Sequence, residues 1–145
     1  MRDMNESSFD FASLDIAAAA DKGAELQVRD PISGQPLEAN GQPVIIQLAG
    51  EDSDAYRRAE RGAINRRLEG RQRGKVTAED LEAETISSLA AVTLGWSNVR
   101  LDGQELLFNQ ANARALYRRF RWLREQVNEF VATRANFLPR PSTDS

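Results

Sequence analysis

The chain has 145 residues, 41% of them hydrophobic and 28% charged, which is material for one folded domain with a modest core and at most a small appended module. It has no cysteine and no histidine, so disulfides, thiolate metal sites, cysteine nucleophiles and every triad built on an imidazole are excluded. The net charge is −3 and the isoelectric point is near 5.1, against the basic balance of a typical nucleic-acid reader.

Charge is unevenly spread. Residues 1–56 hold 3 basic and 11 acidic side chains, residues 57–75 hold 8 and 2, and residues 76–145 hold 8 and 9. Along the chain, residues 1–8 are polar and expected to fray. An alanine-rich helix is expected over 9–22, stopped by Gly23. Residues 25–29 alternate like a half-buried strand. Asp30-Pro31 and Ser33-Gly34 mark a turn, and Asn40-Gly41 is a hairpin signal before the strand expected over 43–48. Asp52 or Ser53 can cap a helix over 54–69. Gly70 and Gly74 then bracket a basic linker around Arg71 and Arg73.

Thr77 and Asp80 open the next helix as a capping box. Its apolar face is read as Leu81, Thr85, Leu89, Val92 and Trp96, widened by Ile86 and Ala90, with Gly95 ending it. Asp102-Gly103 marks a turn between 99–101 and 106–108. Asn109 caps a third helix with Ala113, Leu116, Tyr117 and Phe120 on one face. A fourth, over 122–136, carries Leu123, Val127, Phe130 and Val131; with no proline or glycine between them, these two helices can run together. Pro139 and Pro141 close the pattern. The expected architecture is α+β and mainly α-helical. It comprises an N-terminal antiparallel β-hairpin module (1–50), a basic helix and linker (51–75), a C-terminal helical domain (76–138) and a disordered tail (139–145).

The order of these signals is itself informative. Lys-Gly-Ala-Glu-Leu-Gln-Val-Arg-Asp-Pro-Ile-Ser-Gly-Gln-Pro-Leu at 22–37 precedes Pro-Val-Ile-Ile-Gln-Leu-Ala-Gly-Glu-Asp-Ser-Asp-Ala-Tyr-Arg at 43–57. Thr-Leu-Gly-Trp at 93–96 precedes Leu-Asp-Gly-Gln-Glu-Leu-Leu-Phe-Asn at 101–109. Asn-Ala-Arg-Ala-Leu-Tyr at 112–117, Trp-Leu-Arg-Glu-Gln-Val at 122–127 and Arg-Ala-Asn-Phe-Leu at 134–138 follow. Across residues 9–138 this set resembles the tail assembly chaperones of long-tailed phages and prophages. One departure is Arg121, where similar proteins are expected to carry a helix-breaking proline. The resemblance implies a protein of the host cytoplasm that binds the helical, aggregation-prone tape measure protein. It implies that the protein keeps this client soluble, helps recruit tail tube subunits and is absent from the finished particle. Some such chaperones are also made as a longer frameshifted product.

A helix-binding chaperone needs accessible apolar side chains on a soluble body, with anchors at i, i+3, i+4 and i+7 of the client. Trp122, Phe130, Phe137 and Leu138 are the expected partner-binding residues, because they lie on the last helix near a free end. The plainer reading of each is ordinary core. Trp96 and Phe108 are assigned to the core. The basic residues Arg57, Arg58, Arg61, Arg66, Arg67, Arg71, Arg73 and Lys75 raise a nucleic-acid-binding regulator as an alternative. Their spread around the helix fits a solvated surface better. A structural tail or connector subunit is the second alternative. Glu79, Asp80, Glu82 and Glu84 are read as complementing a helix dipole rather than as metal ligands.

Carboxylate-only catalysis stays formally open, but no spacing singles out a pair, so the chain is not expected to be an enzyme and no cofactor or metal is expected. A homo-oligomer is compatible with the sequence. No apolar run approaches the ~20 residues that span a bilayer. The longest near the start, 16–20, has an acidic flank where a signal peptide is basic.

Overall fold

A computed structural model describes residues 8–138, so the expected tail at 139–145 and most of the frayed start lie outside the described residues. The architecture is α+β and mainly helical. The chain runs from a 3₁₀ turn (Phe11–Leu14) through α1 (Ile16–Lys22), β1 (Ala24–Gln27), β2 (Glu38–Ala39), β3 (Gln42–Pro43) and β4 (Ile45–Leu48). Helices α2 (Asp54–Arg73) and α3 (Ala78–Ala91) follow, then β5 (Thr93–Ser97), β6 (Arg100–Leu101) and β7 (Gln104–Glu105). Helices α4 (Gln110–Arg119) and α5 (Arg121–Ala132) and a closing 3₁₀ turn (Arg134–Asn136) complete it.

The helix expected over 9–22 is interrupted at Asp15. The Asp15 carboxylate accepts the Ala18 N–H at 3.1 Å and so caps a new, shorter helix. Gly23 then turns the chain with φ 87°, as its position suggests, and hands it to β1. Strand β4 is central, antiparallel to β1 on one side and β5 on the other. Its alternation puts Ile46 and Leu48 inward and Gln47 out. Ile46 faces Leu26 across one ladder and Trp96 across the other.

A front sheet of two or three strands is what the sequence implies, but the third comes from an unexpected place. Residues 93–97 were read as the end of a helix, yet α3 stops at Ala91 and Gly95 and Trp96 belong to β5. Of the anticipated helical face, Ile86, Leu89 and Ala90 are buried as expected, while Leu81 and Thr85 are exposed. The sheet therefore takes strands from both halves of the chain. One core joins Leu26, Ile46 and Leu48 of the sheet to Ile86 and Leu89 of α3, Tyr117 of α4 and Val127 and Val131 of α5. An N-terminal hairpin module followed by a helical domain matches this order only roughly.

Side chains lock the two halves together. The Gln126 amide of α5 accepts the Arg29 N–H at 2.7 Å and donates to the Arg29 carbonyl at 3.1 Å, acting as a substitute strand neighbour beyond the end of β1. Arg124, nearly buried, donates to the Tyr117 carbonyl and to Glu82 of α3 at 3.0 and 2.9 Å.

The expected capping box forms at α3. The Asp80 N–H donates to Thr77 Oγ1 at 3.1 Å and the Thr77 N–H donates to the Asp80 carboxylate at 3.0 Å, which lowers the Asp80 pKa. Replacing Thr77 by alanine is expected to cost about 1 kcal/mol in urea denaturation; an unchanged midpoint would show that α3 is held by packing alone.

Candidate functional site

A mostly apolar groove of about 380 Å³ lies on the edge of the body. One wall is the β2–β3 hairpin with Leu37, Ala39 and Val44; another is residues 98–101. The floor and far wall are Leu116, Phe120, Trp122 and Leu123, at the junction of α4 and α5. Both hairpin-like walls follow from turn chemistry legible in the sequence. Asn40-Gly41 and Asp102-Gly103 each adopt two successive positive φ angles, as a two-residue type I′ turn requires. The Asn98 amide donates to the Pro43 carbonyl at 2.8 Å and holds the two walls together.

The aromatic end of the groove depends on a break in the helices. Phe120 is extended (φ −116°, ψ 92°), its N–H closing α4 on the Leu116 carbonyl. Its own carbonyl accepts from Leu123 and Arg124 and so starts α5. The break puts Phe120 and Trp122 side by side, ring centroids 6.4 Å apart, both half-buried. No proline is needed. Arg121 occupies the first helical position of α5, where a proline would also fit because its N–H has no helical partner. Arg119 braces the site: its guanidinium lies 5.1 Å from the Phe120 ring centroid and donates twice to Asp102, at 3.0 and 3.3 Å.

The four expected partner-binding residues do not form one surface. Trp122 lines the groove. Phe130 lies at the other end of α5, packed edge-to-face on Phe137 at 5.5 Å. Phe137 is 91% buried, and a Cβ added to Gly50 would come within 3.0 Å of its ring, so this pair seals the final turn onto the front of the chain. The Arg134–Asp52 ion pair, at 2.7 and 3.0 Å, holds the same turn and raises the Arg134 pKa. Leu138 is half-buried beside it. Phe120, which the sequence placed on the buried face of α4, is the groove residue that reading missed; the Phe-Arg-Trp alternation at 120–122 was its only signal. Trp96 and Phe108 are half-buried and stack edge-to-face at 5.1 Å against the core, with Trp96 Nε1 donating to the Leu106 carbonyl.

The basic segment is a helix rather than a helix and linker, since α2 continues through Gly70 to Arg73. Arg58 pairs with Asp54 and Arg67 with Glu84. The cleft between α2 and α3, about 360 Å³, sets the charged side chains of Arg66, Arg67, Glu69, Asp80 and Glu84 around Val76 and Ala83 and holds no aromatic ring. Among the described residues no group of three or more carboxylates converges as a metal site, and no helix is long and apolar enough to cross a membrane. No protein-family model, curated protein or solved structure matches the chain.

Proposed function

We propose that this chain is a tail assembly chaperone of a long-tailed phage or prophage, which acts without catalysis or cofactor by holding helical segments of a tape measure protein. The observation that carries the reading is the open apolar groove with two adjacent aromatic rings at the α4–α5 junction. It is joined by the ordered motifs of residues 9–138, which resemble that family. Desolvated aromatic side chains dominate protein contacts of this kind. An amphipathic client helix would seat one anchor residue at a time between Phe120, Trp122 and the hairpin, its polar face staying in water. In this reading the protein works in the host cytoplasm, helps bring tail tube subunits to the client and leaves before the particle is complete.

The test is co-expression with a tape measure fragment, followed by affinity measurement on the purified pair. The fragment is expected to become soluble and to bind. Serine at both Phe120 and Trp122 is expected to weaken binding at least about tenfold, with circular dichroism checking that the fold persists. A fragment that stays equally insoluble, or binds the double variant as well as the parent, would remove the reading. Mass spectrometry of finished particles supplies a second check, since a chaperone should be missing from them.

A further inference from the structure

Two exposed surfaces of this chain complement one another, and neither includes the groove or needs its client. The first is the arm ahead of α1. Phe9, Phe11 and Leu14 are 59%, 84% and 37% exposed, and the two phenyl rings meet edge-to-face at 4.8 Å. Asp10 and Asp15 punctuate this arm, and residues 8–21 contain three acids and no base. Large apolar side chains clustered at a surface commonly mark an interaction site.

The second surface is the outer side of α2. Arg57, Arg61, Ile64 and Leu68 follow one another at spacings of 4, 3 and 4, which places them on one face. All four are exposed, Ile64 by 47% and Leu68 by 50%. Among the described residues Arg57 and Arg61 make no ion pair, unlike Arg58 and Arg67. The face is thus cationic at one end and aliphatic at the other. It is about 16 Å long, a length that seven residues of arm can follow.

We infer that the acidic, aromatic arm of one copy docks on the outer face of α2 in a second copy. Phenyl rings against guanidinium groups and aliphatic side chains gain both cation–π attraction and apolar burial. The interleaved carboxylates meet Arg57 and Arg61, whose guanidinium groups lie near Asp54 but make no direct ion pair among the described residues. The chain itself supplies both halves, which is why a second copy is the occupant. The contact is head to tail, so each dimer keeps one free arm and one free face and can grow.

Sedimentation velocity on the full chain tests this. Association is expected with a Kd on the order of 10–100 µM and is expected to weaken as salt rises. Two surface variants isolate the halves: Phe9→Ser with Phe11→Ser removes the arm, and Arg57→Glu with Arg61→Glu removes the face. Each alone is expected to be monomeric. Mixed together they should form a 1:1 complex, because the first keeps its face and the second keeps its arm. A parent chain that stays monomeric well above this range overturns the inference. So does a variant that associates like the parent, or a mixture that remains two monomers.

Discussion

Tyr117→Ala is expected to lower the free energy of unfolding by about 4 kcal/mol in urea denaturation, among the largest losses available in this chain. Tyr117 is fully buried within the core that unites the sheet with α3, α4 and α5. Its hydroxyl lies 2.7 Å from Thr93 Oγ1, and Thr93 donates its own proton to the Leu89 carbonyl at 2.8 Å. A threonine has one hydroxyl proton, so Tyr117 is the donor to Thr93. The result is a short relay tying α4 to the end of α3 where the chain turns into β5.

Burial pushes the Tyr117 phenol up to about 12, opposed by its bond to Thr93. Because the folded pKa lies above the unfolded one, the associated stability is complete below pH 10. It is lost as the pH climbs toward 12, where the unfolded chain ionises first. The alkaline loss is on the order of 3 kcal/mol. Tyr117→Phe should cost about 1 kcal/mol near neutrality and remove most of that loss. Tyr56, half-buried with its phenol raised by burial and by Glu60 and Glu51, leaves a smaller residual slope. Urea midpoints from pH 7 to pH 11 decide it: parent and phenylalanine variant falling in parallel would mean that Tyr117 is not the group responsible.

Gly23→Ala is expected to cost about 3 kcal/mol, from backbone strain and a close contact together. Gly23 sits at φ 87° and ψ 174°, a region reserved almost entirely for glycine. An added Cβ would also lie 2.7 Å from Leu94 Cδ1 and 2.9 Å from the Leu48 carbonyl oxygen. The exposed Leu94 side chain can swing aside, but the Leu48 carbonyl is part of the central strand and cannot. Gly34→Ala is the control, because Gly34 has φ 75° with open space around it. It isolates the backbone strain, at about 1 kcal/mol. Equal denaturation midpoints for the two variants would show that the close approach at Gly23 is absorbed without cost.

Local chemistry was readable wherever one short stretch of chain determines the outcome. Ser53, Thr77 and Asn109 cap helices as their side chains dictate, and both Asn-Gly and Asp-Gly turns are type I′ because their φ preferences demand it. The inward alternation of Ile46 and Leu48 was equally plain. Residues 93–97 were not. Leu89, Val92 and Trp96 mimic a helical stripe, and the competing strand gains its hydrogen bonds only from β4, nearly fifty residues earlier. Pairing energy held by a distant partner leaves no local trace, so the shared sheet, and with it the single body, came from tertiary structure.

Composition by itself removed cysteine and histidine chemistry, and spacing by itself located the amphipathic helices and the basic stretch. Only the folded chain decided which apolar residues remain available. Trp122 and Phe130 lie eight positions apart on one helix, each followed by an aliphatic residue. The break at Phe120 opens Trp122 to a groove, while the closing turn covers Phe130 with Phe137. Side-chain identity sets what a residue can contribute to an interface, and packing by remote segments sets whether it is free to do so.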